Sequence, residues 1–383
     1  MITVTVQYND NFADIEFPCS DIYLYSKLME LHADDPDNTT LYISDIIVPK
    51  ELSCLKDRFV NLDEVNYLAK RMDSFFGDEE IQFFEAMKLE HFTELKDLIN
   101  LSFNLDKYTL IQDVSNMGKV GRAYLLNRDG CVPTHDEDDP KYAVIGRELL
   151  QSGAGIFTEH GLLFPDRSKP FEEPYNGKTF PLYLYDQCML VGEIKYGKNT
   201  EFVYLPDNDI AINKALKRIE AESPDDCSVI LSEINVGSQR VFDAFNSILH
   251  SEGIYEVNRL AQAVNKAVNV QSLQKLSAVL EYADVSDAKS IVALAENLDA
   301  FGYVNDVVDH EELGRWWIEH HDELELSIDL EDYFNYDQYG EDIHHGYSGE
   351  FLADGGYVFV EYGHSLKDIL DTDEDESMTM GGM

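Results

Sequence analysis

Residues 304–315, VNDVVDHEELGR, return to a pattern already set by residues 111–122, IQDVSNMGKVGR, and this return decides the architecture. Three further pairs accompany it in chain order. LYISDI (41–46) matches VILSEI (229–234), EVNYLA (64–69) matches EVNRLA (256–261), and FTEHG (157–161) matches FVEYG (359–363). The offsets are 188, 192, 193 and 202, growing along the chain as small insertions would make them. A long period recurring in order is the signature of a repeated structural unit. The reading is two tandem copies of one α+β unit, residues 1–195 and 196–383.

Local signals divide each copy in the same way. The alternating, β-branched MITVTVQY (1–8) predicts a strand. Ser20 or Asp21 caps a helix to about His32, and residues 41–48 form a second strand ended by Pro49. Asn61 with Glu64 three residues on has the capping-box pattern for a helix. Further helices are expected over 78–89, 92–99, 120–126 and 142–150, with strands at 108–113, 180–185 and 189–196 and a hairpin turning at 159–161. The expected domains are an α+β subdomain at 1–60, a helical one at 61–105 and an α+β one at 106–195. Copy two repeats them at 196–250, 251–298 and 299–370, and residues 371–383 form a disordered acidic tail.

The chain carries 74 acids against 29 bases, a formal charge of −45, while 44% of its residues are hydrophobic. Such a charge costs stability by self-repulsion and exceeds what solubility needs. It repels nucleic acid and anionic membrane, so the natural partner is basic. Adaptation to high salt would spread acids evenly. Here residues 1–190 hold 34 acids and 17 bases, and residues 191–383 hold 40 and 12, so the excess is skewed. Five scattered cysteines without CxxC spacing fit buried thiols in a reducing compartment. No basic-then-apolar leader and no run of 18 apolar residues is present, which predicts a cytoplasmic protein.

The charge peaks at residues 299–342, where fifteen acids face one Arg among eight aromatic residues. The aromatic content argues for a folded segment and against the disorder usual in like-charge blocks. On a helix from about Glu311, the side chains of Glu312, Glu319 and Glu323 fall within about 40° of one another, flanked by Glu311 and Asp322. Leu313, Trp317 and Leu324 face the other way, toward a core. B-form DNA presents one charge per roughly 1.7 Å of axis, so carboxylates fixed on folded helices can stand in for phosphates in a basic groove. The candidate surface comprises Asp306, Asp309, Glu311, Glu312, Glu319, Asp322, Glu323, Glu325, Asp329, Glu331, Asp332, Asp337, Glu341 and Asp342. Against catalysis, the common short signatures of phosphate loops, zinc proteases and serine hydrolases are absent. His320, His321, His344 and His345 read as surface histidines among carboxylates rather than metal ligands. The repeated Arg122 and Arg315 read as structural, and Gly121 and Gly314 as sites of close helix contact.

The segment from EVNRLAQAV (256–264) through LGR (313–315) and YFNYDQYGEDI (333–343) to FVEYG (359–363) resembles the ArdA family of antirestriction proteins. The first copy resembles it more faintly: VGR (120–122) and FTEHG remain, but YAVIGREL (142–149) stands where FNYDQYGEDI does, with Arg147 in place of an acid. The resemblance implies an elongated molecule whose carboxylates imitate bent B-form DNA. It would be expected to occupy the DNA-binding groove of type I restriction-modification enzymes in a bacterial cell, with no catalysis and no cofactor. Family members resemble a single shorter unit that dimerises, so two units in one chain imply a monomeric pseudo-dimer or a homodimer. The alternative readings are an acidic scaffold or chaperone-like inhibitor of another basic DNA-binding protein, and a metal-dependent hydrolase.

Overall fold

The computed structural model of the chain describes residues 1–33, 39–133, 139–153, 155–268, 271–321, 331, 333–353 and 355–371. The chain separates into two compact units, Met1–Asp186 and Gln187–Met383. Each is a mixed α/β structure of small antiparallel sheets and helices.

In the first unit, β1 (Ile2–Tyr8) and β2 (Asn11–Phe17) form a hairpin that turns at Asn9, whose φ of 52° is the left-handed value a tight turn needs. Alternation along β1 puts Ile2, Val4 and Val6 wholly inside. Helix α1 (Asp21–Glu30) starts at the Ser20 cap and buries Leu24 and Leu28. Strands β3 (Thr40–Val48) and β4 (Arg58–Asn61) complete a sheet of order β2-β1-β3-β4. Three helices follow: α2 (Leu62–Asp73), α3 (Glu79–Glu90) and α4 (Leu95–Ser102). Asn61 caps α2 as expected, by accepting from Asp63 N. Glu64 does not close the box: its carboxylate accepts from the Tyr175 hydroxyl at 2.6 Å. The unit ends with β5 (Tyr108–Ile111), α5 (Met117–Asp129), α6 (Pro140–Gln151), β6 (Ile156–Thr158) and β7 (Gly161–Pro165), in sheet order β5-β7-β6.

Residues 180–185, expected as a strand, are not one. Their aromatic residues, Phe180, Tyr183 and Tyr185, pack against helix α2 instead of pairing with another strand. Phe180 stacks on Tyr67 at 4.7 Å and on Tyr175 at 5.1 Å, Tyr67 donates to Pro181 O, and Tyr185 donates to Asp73. Upstream, two buried asparagines supply the hydrogen bonds that a sheet would have given. Asn100 exchanges bonds with both backbone groups of Tyr175, and Asn104 does the same with Glu172.

In the second unit β8 (Leu190–Tyr196) lies between β10 (Ser228–Glu233) and β9 (Asn199–Leu205), with α7 (Asp209–Ile219) between the last two in sequence. The unit boundary therefore precedes the expected seam at 195/196, because residues 190–196 are the central strand of this sheet. Helices α8 (Gln239–Ser251), α9 (Ile254–Val268), α10 (Leu273–Ala283) and α11 (Ala288–Glu296) build one apolar core with it. Then come β11 (Phe301–Val304), α12 (His310–His320), α13 (Tyr336–Tyr347), β12 (Glu350–Phe351), β13 (Tyr357–Val360) and α14 (Leu366–Leu370), with sheet order β11-β13-β12. The expected acidic tail, but for Asp371, lies outside the described residues.

Two of the four sequence matches coincide with matching geometry. Asn66 and Asn258, from EVNYLA and EVNRLA, each clamp both backbone groups of one residue: Cys19 at 2.9 Å and 2.9 Å, Asp207 at 3.0 Å and 2.8 Å. Gly121 and Gly314 both sit at helix crossings, described below. The other two matches are out of register. β3 is bulged against β1, so Val6 faces Ile43 and Val4 faces Ile46, whereas Ile194 faces Val229 and Gly192 faces Leu231. Counted from the two hairpins, Ile46 stands with Leu231 and not with Ile234. Likewise Ile111 faces Leu162 as Val304 faces Tyr357, so Phe164 is the counterpart of Phe359, and Phe157 lies on a different strand.

The Asn258 clamp yields a test. The side chain is wholly buried, so Asn258→Ala removes two hydrogen bonds to the Asp207 backbone, whose C=O keeps only the Gln262 amide at 2.6 Å, and is expected to cost about 2 kcal/mol. The measurement is the urea midpoint of tryptophan emission, which reports on this unit because Trp316 and Trp317 are the chain's two tryptophans.

Candidate anionic interface

The helix pair α12–α13 carries most of the described candidate acids, and two glycines let it form. A Cβ on Gly314 would lie 3.0 Å from the carbonyl carbon of Tyr336 and 3.0 Å from Gly340 N. One on Gly340 would lie 2.7 Å from the carbonyl carbon of His310 and 2.9 Å from Gly314 N. No L side chain fits such gaps, so the two backbones touch where a Cβ would otherwise separate them. Gly314 was legible from the repeated Gly-Arg; Gly340 was not, because its partner lies on another helix. The inner side of α12 buries Leu313 and Trp317 as expected, against Val304, Val307, Tyr357 and Phe359. Arg315 is structural, as its repetition suggested: it pairs with Glu311 at 2.7 Å and lies 4.1 Å from the centre of the Tyr336 ring.

The candidate acids differ in what they do locally. Asp309 caps α12 by accepting from Glu312 N at 2.9 Å, and Glu312 in turn accepts from Val308 N at 2.9 Å. Both carboxylates also favour the positive end of the helix dipole. Glu311 is neutralised by Arg315. Asp306, in a left-handed turn with φ of 58°, accepts from Asn305, and the half-buried Glu341 accepts from Gln338. Glu319, Glu331, Asp337 and Asp342 are exposed and form no ion pair among the described residues. Asp322, Glu323, Glu325, Asp329 and Asp332 lie outside the described residues, as does the continuation of α12 that was expected to carry Glu323 and Leu324.

Histidines 320 and 321 stack on Trp316 and Trp317, with ring centres 4.5 Å and 4.3 Å apart. Among the described residues no group of three or more His, Cys, Asp or Glu is arranged to hold a metal ion. No described helix is long and apolar enough to cross a membrane. None of the five cysteines is in a disulfide, and Cys131 is exposed where a buried thiol was expected.

The first unit holds a helix pair of the same geometry. A Cβ on Gly121 would lie 2.8 Å from Gly146 N, and one on Gly146 would lie 3.0 Å from the carbonyl carbon of Met117. Its charge is reversed. α5 and α6 carry Lys119, Arg122, Arg128, Lys141 and Arg147 against Asp129 and Glu148, whereas α12 and α13 carry six acids against Arg315. Arg147 is exposed and donates to Ala143 O.

The crossing predicts opposite outcomes for two glycines of α13. Gly340→Ala forces the helices apart and is expected to destabilise the unit by about 1–3 kcal/mol. Gly346→Ala has nothing within 4 Å of the new methyl group and should stabilise by roughly 0.5–1 kcal/mol through helix propensity. Thermal unfolding followed by tryptophan emission separates them by sign.

Comparison with known proteins bears on the same region. No curated protein and no solved structure matches the chain. The family model for the antirestriction protein ArdA matches residues 199–359, from the first residue of β9 into β13, and so takes in the whole α12–α13 pair.

Proposed function

We propose that the chain is an antirestriction protein that imitates B-form DNA and occupies the DNA-binding groove of a type I restriction-modification enzyme, on its specificity and methyltransferase subunits. One observation carries this reading: the exposed, unpaired carboxylates of α12 and α13 lie inside the stretch that matches the ArdA antirestriction family. The charge supports it further, because 40 acids against 12 bases in the second unit make a field that attracts a basic groove before contact. The role is non-catalytic and needs no cofactor.

The chain is two tandem copies of one ArdA-like unit. The paired asparagine clamps, the paired glycine crossings and the shared sheet orders β5-β7-β6 and β11-β13-β12 support that duplication. Only the second copy presents an anionic helix pair. The first, with its net positive pair, serves as scaffold or meets another part of the target.

Competition decides the matter. A type I methyltransferase holding labelled duplex should release it as this protein is added at low salt, and the effect should weaken steeply as salt rises. No displacement at low salt across several such enzymes overturns the reading. Glu319→Gln, Glu331→Gln, Asp337→Asn and Asp342→Asn leave the Asp309 and Glu312 caps intact. Combined, they should weaken inhibition at least about tenfold, since charge complementarity is summed over many pairs. Parental inhibition by the combined variant would place the contact elsewhere.

A further inference from the structure

We infer that His344, packed against His310, forms a proton-operated latch across the α12–α13 crossing, closed while its ring is neutral and opened when it takes up a proton. The latch belongs to the helix pair itself and holds whatever that pair binds.

The observation behind it is a set of polar atoms with nothing to bond to. His310 Nε2 and His344 Nδ1 are each buried without a hydrogen-bond partner among the described residues, and the Tyr357 hydroxyl beside them is buried against the Gly349 backbone. Leaving such groups unpaired costs about 1–3 kcal/mol each, so their presence calls for a reason. The same scaffold has an apolar solution. In the first unit Met117 takes the place of His310, since its carbonyl faces Gly146 as that of His310 faces Gly340. Leu150 follows Gly146 by four residues, as His344 follows Gly340. Leu162 faces Ile111 across the sheet as Tyr357 faces Val304. Met117, Leu150 and Leu162 share one small apolar cluster. The second unit thus keeps titratable groups where aliphatic ones pack.

The cluster is suited to protons rather than metal ions. The Phe351 ring lies 5.2 Å from His310, 5.6 Å from His344 and 4.9 Å from Tyr357, centre to centre, and packs against all three. The two imidazoles themselves stand 5.1 Å apart, so a proton on His344 arrives in a contact lined by rings and not in water. Burial, reinforced by His310 and His345, holds the His344 pKa below its ordinary value of 6.5, against the opposing pull of Glu350 and Glu341. Burial pushes Tyr357 up to about 12, with the Gly349 backbone beside it opposing, so the phenol keeps its proton throughout. Because His344 binds its proton less tightly in the closed form than in the opened one, the closed form's stability is full above the ordinary histidine range. That stability falls as pH drops through 6.5 toward the lowered value.

The two tryptophans flank the crossing and report on it. Since His320 and His321 stack on them, the experiment uses full-length protein carrying His320→Gln and His321→Gln, so that the emission reports the crossing alone. Its emission maximum is expected to move to the red between pH 7 and pH 5. With His310→Met and His344→Leu added, the residues of the first unit, that transition should vanish above pH 5. A red shift that persists in this variant, or none in the background above pH 5, overturns the latch. His344→Leu alone, which keeps the His310 ring, should abolish the transition above pH 5; an unchanged midpoint overturns the proposal. Proton NMR of the His344 ring should give a pKa below the ordinary value, and an ordinary or raised one also overturns it.

Discussion

At the crossing of α12 and α13 the distance between two backbones is set by atoms that are missing. Gly314 and Gly340 bring peptide groups to a separation no Cβ would permit, and everything around them inherits that spacing. Leu313 and Trp317 reach the sheet β11-β13-β12 because α12 is drawn in, and the outer sides of both helices are thereby left to carry charge. Acids repel one another, so a surface of this kind needs an attractive constraint beneath it. Close packing, with its many weak contacts, supplies that constraint.

Charge and structure are not separable on this surface. Asp309 and Glu312 hold the start of α12, and Glu311 holds Arg315 over Tyr336, so these carboxylates are committed to the fold before any partner arrives. Glu319, Asp337 and Asp342 carry no such duty. A count of acids along the sequence treats the two sets alike, because capping depends on where a helix begins to within one residue. The sequence reading of Leu313 and Trp317 as core residues succeeded for the opposite reason: helical periodicity averages over several turns and tolerates small errors of position.

The matched motifs show the same division. EVNYLA and EVNRLA were legible because one asparagine in each has a single structural task that fixes its neighbours. LYISDI and VILSEI look as alike, yet bulges in β3 shift their registers apart. A bulge changes which residues face each other without altering their alternation, so it leaves no trace in composition. The strand expected at 180–185 failed similarly, since closely spaced aromatic residues fit either a sheet or a helix laid beneath them. His310 and His344 could not have been paired from the sequence, because 33 residues separate them and the crossing that joins them was only half visible.

The segment that lies over α2 in the first unit has a consequence for where that unit can be cut. Residues 166–186 contain no strand or helix, yet Asn100, Asn104, Glu64 and Tyr67 all spend polar or aromatic groups on it. A fragment ended at Pro165 would retain every regular element of the unit while stripping the cover from the Tyr67 ring and orphaning two buried amides. The shortest self-sufficient piece is therefore set by its irregular residues, and a dissection guided by strands and helices would stop about twenty residues too soon.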